Sequence, residues 1–201
     1  MIKKLSAIAL IAVLLFTLAS CKGEPVQNEK EDENKNPDIE WINEISMPSE
    51  SGSSRGLENI STLDLYGNPV DSGIFNNYEI TIVDVWGTYC SPCIKAMPVL
   101  ASLHEKYEDK GVNVIGIVID IQNKDLSPKA EGLVTAMDIT QRTGADFTHI
   151  LASKNIISSV VRNISAIPAS FIVDSEGNVI TKILYGGHSL EQWEELINEY
   201  I

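Results

Sequence analysis

Cysteine is scarce in this chain, three in 201 residues. That excludes a disulfide-stapled scaffold, which needs several bridges. It also argues against structural zinc, which takes four ligands. Cys90 and Cys93 have no second cysteine pair to join, and His104, His149 and His188 stand at no ligand spacing to one another. Basic residues are also few: 15 Lys and Arg against 28 Asp and Glu leave a formal net charge of −13. A protein of that sign gains no affinity from nucleic-acid phosphates, and anionic lipid repels it, so a basic patch is not what would hold it at a membrane. No long apolar run is present either. The stretch from Leu5 to Ala19 is interrupted by Ser6 and Thr17 and is short of the about 20 residues that span a bilayer.

What that stretch does have is the layout of a secretory leader. Met1-Ile2-Lys3-Lys4 is basic, the apolar run follows, and Leu18-Ala19-Ser20-Cys21 closes it with small residues before a cysteine. Residues 1–20 are therefore expected to be a signal peptide. The last four resemble a bacterial lipobox, which implies cleavage before Cys21 and lipid on that residue. More than one acyl chain gives a stable anchor where a single chain is marginal. The alternative is an ordinary signal peptide, or an uncleaved anchor, with an incidental cysteine. Residues 21–56 change character: Glu24, Glu29, Glu31, Asp32, Glu33, Asp38, Glu40, Glu44 and Glu50 accumulate, and Ser51-Gly52-Ser53-Ser54 has flexible-linker chemistry. The reading is a tether, with Trp41 and Ile42 as its one apolar point.

Residues 57–201 are enough for one domain with a core. Residues 61–70 read as two short strands about Gly67-Asn68-Pro69. Ile80-Thr81-Ile82-Val83-Asp84-Val85-Trp86 and Val112 to Ile119 are near-continuous apolar, β-branched runs, as expected of strands buried on both faces. Between them a helix is expected from Ser91 to Lys110, kinked at Pro98 and stopped by Gly111. Further elements are a helix from Lys129 to Arg142, a strand at Phe147–Leu151 and a short helix from Ile156 to Arg162. Ala169–Asp174 and Val179–Leu184 form a hairpin about Ser175-Glu176-Gly177-Asn178, and a last helix runs from its cap Ser189 to Tyr200. Alternating strands and helices with a late antiparallel hairpin give an α/β fold: a mixed central sheet with helices on both faces.

The chemistry gathers at Cys90-Ser91-Pro92-Cys93, a Cys-x-x-Cys at the junction of strand and helix. Pro92 suits a first helical turn, where a missing N–H costs nothing. The two sulfurs then sit at the unpaired N–H groups and positive dipole end of a helix, which stabilise a thiolate.

Taken with their surroundings, these residues resemble the thioredoxin fold, in its membrane-tethered TlpA/ResA branch. Trp86-Gly87-Thr88-Tyr89-Cys90-Ser91-Pro92-Cys93 is similar to the Trp-x-x-Trp-Cys-x-Pro-Cys active site. Met97-Pro98 resembles the helix-kinking proline that follows it, and Ile167-Pro168 with Ala169–Asp174 resembles the cis-proline segment. Two positions depart: Tyr89 stands for the usual Trp, and Ala96 for a Glu found in many members. The resemblance implies a thiol–disulfide oxidoreductase whose one redox pair, Cys90 and Cys93, needs no other cofactor and no metal. Cys90 would attack a substrate disulfide, and Cys93 would resolve the mixed disulfide. Asp84, buried beneath the turn with a raised pKa, would accept the Cys93 proton. Trp86, Tyr89, Pro92, Ile167 and Pro168 would form the substrate face, with Ile167–Pro168 in the cis form. Implied partners are protein disulfides, apocytochrome c among them, and a membrane thiol-electron donor. The implied location is extracytoplasmic, at a bacterial membrane by the lipid anchor. Three other readings stay open: a purely structural bridge, a lipid-anchored binding module with a vestigial redox turn, and a peroxiredoxin-like peroxidase.

Overall fold

Every residue from Ile80 to Trp86 is buried, Thr81 and Asp84 with the apolar majority, and this strand is the centre of a five-stranded sheet. The structure, a computed structural model, describes residues 46–48 and 56–201. The proposed leader 1–20, Cys21 and most of the 21–56 linker, Trp41 and Ile42 included, lie outside the described residues.

Strands β1 (Ser61–Leu63) and β2 (Pro69–Asp71) form the expected small antiparallel pair. Asp64 ties their connection together, its Oδ1 accepting from the backbone N–H groups of Tyr66 and Asn68 at 2.8 Å each. The main sheet has the order β5-β4-β3-β6-β7, with β3 (Ile80–Trp86), β4 (Val112–Val118), β5 (Thr148–Leu151), β6 (Ala169–Asp174) and β7 (Leu184–Tyr185). β3, β4 and β5 run parallel, β6 pairs antiparallel with β3, and β7 pairs antiparallel with β6. Side chains alternate across the sheet. Ile80, Ile82 and Trp86 join Met97, Leu100 and Leu103 of helix α1 (Ser91–Tyr107), with Leu133 of α2 (Ala130–Thr143) and Trp193 of α4 (Leu190–Ile197), in one core. Val83 and Val85 join Ile115, Phe171 and, from α3 (Lys154–Ser159), Ile156 in the core of the other face. The expected mixed sheet with helices on both faces is what forms.

Four boundaries differ from the sequence reading. The stretch expected as one helix to Lys110 is α-helical to Tyr107 and 3₁₀ from Glu108 to Lys110, ending at Gly111 with φ +85°. The short helix begins earlier than Ile156, because Ser153 caps it and its hydroxyl accepts from Ile156 N at 3.4 Å. The hairpin's return arm is largely not a strand. Val179 makes a single bridge to Val173, and then the Thr181 hydroxyl, not a backbone carbonyl, accepts from Ile172 N at 2.9 Å. A side chain has taken the ladder's place there, and regular pairing resumes only at Leu184. The last helix ends at Ile197 but has the expected start, a reciprocal cap between Ser189 and Gln192.

Candidate active site

β3 ends at Trp86, and the chain turns at once. Cys90 N–H donates to Gly87 O at 3.0 Å, closing the turn that delivers Cys90 to the mouth of α1. Cys90 is the helix N-cap, with its Sγ accepting from Cys93 N–H at 3.2 Å, and Pro92 lies in the first turn as expected. The two cysteines form a disulfide with Cα atoms 5.2 Å apart. They are unequal in access: Cys90 keeps 5 % of its surface exposed and Cys93 none. Tyr89, beside them, is 72 % exposed.

The distant candidates come to this turn. The Ile167–Pro168 peptide is cis. A Cβ on Gly87 would lie 3.3 Å from Ile167 Cδ1 and 3.1 Å from Tyr89 Cε1, so Ile167 and Tyr89 close on Gly87 and leave no slack for a larger residue. Pro168 O accepts from Gly186 N–H at 2.9 Å, which ties the cis-proline segment to the end of β7. Just beyond, a Cβ on Gly187 would lie 3.5 Å from Ala96 Cβ. Backbone therefore packs against the side of α1 that carries Ala96.

Asp84 is buried within β3, on the face that carries Ile82 and Trp86 toward α1. Burial raises its pKa to about 6, with the Ser170 hydroxyl, donating to Oδ1 at 2.8 Å, pulling the other way. A carboxyl poised near 6 can take up and release a proton close to neutral pH.

Two side chains matter that the sequence reading did not single out. The first, His149, is buried with both ring nitrogens hydrogen-bonded. Its Nδ1 accepts from Trp86 Nε1 at 3.1 Å, which leaves Nε2–H to donate to Ala145 O at 3.1 Å. Burial lowers its pKa to about 4, so the ring is neutral at pH 7. The second is Asp120, just past β4. Its Oδ2 accepts from Thr88 N–H at 2.8 Å and from Thr88 Oγ1 at 2.6 Å. The available signal for Asp120 was its place at the carboxyl end of a parallel strand, where α/β sheets present their sites. Among the described residues, no group of three or more His, Cys, Asp or Glu is arranged to hold a metal.

A Cys-x-x-Cys disulfide capping a helix on this sheet, beside a cis-proline, defines a thioredoxin-like thiol–disulfide oxidoreductase. Comparison with known proteins agrees. The Redoxin family matches residues 32–195, and this chain belongs to that family. The thiol-disulfide oxidoreductase ResA of Bacillus thuringiensis is 30 % identical over 141 residues, 70 % of this chain and 74 % of the relative. A thioredoxin-family thiol:disulfide interchange protein from Chlorobium tepidum superposes with a TM-score of 0.60 at 19 % identity, covering 75 % of this chain and 98 % of the other. StoA from Bacillus subtilis superposes at 0.52 with 21 % identity, covering 69 % and 95 %. At those identities the two structures speak for the fold.

Proposed function

We propose that this oxidoreductase works as a reductant of protein disulfides outside the cytoplasm. The observation that carries the reading is the asymmetry of the pair: Cys90 reachable at a helix mouth beside the Ile167–Pro168 segment, Cys93 sealed on the Asp84 side of the sheet. With the pair reduced, the Cys90 thiolate attacks one sulfur of the substrate disulfide. A Cys90–substrate disulfide forms, and the other substrate sulfur leaves and takes a proton. Cys93 then gives its proton to Asp84 and attacks Cys90 Sγ, releasing the second substrate thiol. Two electrons have passed to the substrate, one proton has reached it from Cys93 by way of Asp84 and the other from solvent, and Cys90–Cys93 is again a disulfide. Tyr89, Pro92, Ile167 and Pro168 are the face that receives an extended substrate strand; Trp86, expected on that face, is wholly buried and supports the turn from below instead. The two carboxyl groups at the turn, Asp84 and Asp120, disfavour a lasting thiolate, which suits the reducing direction.

The leader and Leu18-Ala19-Ser20-Cys21 support export and lipid attachment at Cys21, with residues 21–56 as the tether. No described helix is long and apolar enough to cross a membrane. Substrates are then exported proteins with cysteine pairs, apocytochrome c among them, and a membrane thiol donor restores the reduced state. The test is insulin reduction driven by dithiothreitol: wild type accelerates it and Cys90→Ser does not. A wild type no faster than dithiothreitol alone contradicts the reading and favours a binding module with a vestigial turn.

A further inference from the structure

Asp120 is held in an unusual way. One of its oxygens, Oδ2, takes both hydrogen bonds from Thr88, and the other, Oδ1, is buried and meets no donor. The carboxyl lies against the active-site turn: a Cβ on Gly87 would come within 3.4 Å of Asp120 Cγ. It is fixed from behind as well, because Ile119 N–H continues the β3–β4 pairing to Trp86 O at 3.1 Å. If holding Thr88 were the whole task, an amide would serve, since an Asn side-chain oxygen can accept the same two bonds. The carboxylate adds charge, and a charge with one oxygen that no protein donor meets is costly to bury. Two residues along, Cys90 is the group whose own charge changes when the pair opens. Near Cys90 along the chain the other titratable groups are Asp84 within β3, the exposed Tyr89 hydroxyl and Lys95, which is exposed on α1.

We propose that Asp120 is a positioning residue that sets the redox balance of Cys90 and Cys93. It fixes the turn through Thr88, and its negative charge opposes the Cys90 thiolate, so the pair gives up its electrons more readily. A less stabilised reduced form means a lower reduction potential, the reverse of what makes strong oxidants in this fold. The inference rests on the thiol–disulfide exchange reading above.

The test equilibrates the protein with glutathione. Two glutathione thiols pass two electrons and two protons to the Cys90–Cys93 disulfide, yielding glutathione disulfide and two protein thiols, and alkylation followed by mass spectrometry reads the reduced fraction. Asp120→Asn keeps the acceptor and loses the charge. It is expected to move the equilibrium roughly threefold to tenfold toward the reduced pair, a rise of about 15–30 mV at about 30 mV per tenfold. Thr88→Val removes the hydroxyl dipole that offsets the carboxylate and is expected to move it toward the disulfide. A purely structural clamp would lower thermal stability in both variants and leave the equilibrium within twofold of wild type, which overturns the proposal. So does a shift of both variants in the same direction. If Asp120→Asn fails to fold, Thr88→Val decides alone. A wild type that neither equilibrates with glutathione nor reduces insulin overturns the exchange reading itself, and this inference with it.

Discussion

The indole N–H of Trp86 donates to His149 Nδ1 at 3.1 Å, through the space that a side chain at position 116 would occupy. Gly116 pairs with Asp84 on one side and with His149 on the other. A Cβ there would fall 2.1 Å from His149 Nδ1 and 2.9 Å from Trp86 Nε1. The glycine is thus what lets β5 reach across β4 and grip the last residue before the redox turn.

Gly116→Ala is therefore expected to be severe for one methyl group. Overpacking and the loss of a buried hydrogen bond together cost about 2–4 kcal/mol. Denaturant unfolding measures the loss, and tryptophan fluorescence should shift as the Trp86 indole is displaced. Unfolding at the wild-type midpoint with an unchanged spectrum would show that the Trp86–His149 contact does not constrain the sheet.

Asp84→Asn is expected to separate the two chemical steps. Cys90 still attacks, but Cys93 loses its proton acceptor, and the resolving step slows by about 10²-fold. Stopped-flow kinetics with a peptide disulfide should show mixed disulfide accumulating. The same variant should be more stable than wild type at pH 7. The folded-state pKa of Asp84 is raised to about 6 from an ordinary 3.8, so the folded protein holds a proton that the unfolded chain has lost. Its burial becomes a growing penalty as pH rises through that window, amounting to roughly 2–3 kcal/mol above it.

His149 has the opposite slope. Its folded-state pKa is depressed to about 4 from 6.5, so the unfolded chain binds the extra proton and stability is lost as pH falls from 6.5 toward 4, by about 3 kcal/mol. Between pH 4 and 6 the two groups offset one another. Wild type should be nearly flat in that range, Asp84→Asn should lose stability on acidification, and His149→Gln should gain it. Unfolding midpoints at several pH values check this, and parallel profiles for the three proteins would contradict both assignments.

Much of this was legible in the residues. Continuous β-branched runs specified β3 and β4, and Pro92 and Ser189 marked helix starts because their backbone chemistry is local. The Cys-x-x-Cys turn and the Ile167–Pro168 segment could be joined because each has a distinctive local pattern. His149 and Gly116 could not be read, because their importance comes from register: strand pairing sets one beside the other. Asp120 offered only its place at a strand end, and no local pattern tied it to Thr88, 32 positions away. The return arm after Gly177 misled for a related reason. Val179 and Ile180 have the β-branched look of a strand, yet Thr181 replaces a backbone acceptor with its hydroxyl, and no periodicity shows that.

The most direct test of the central claim, that Cys90 attacks and Cys93 resolves, is trapping with single-cysteine variants. Each is incubated with a disulfide-bonded peptide, quenched with acid and weighed by mass spectrometry. Cys93→Ser is expected to accumulate a covalent adduct on Cys90, and Cys90→Ser to accumulate none. An adduct on Cys93 of Cys90→Ser at a comparable rate, or none on either, would contradict the account.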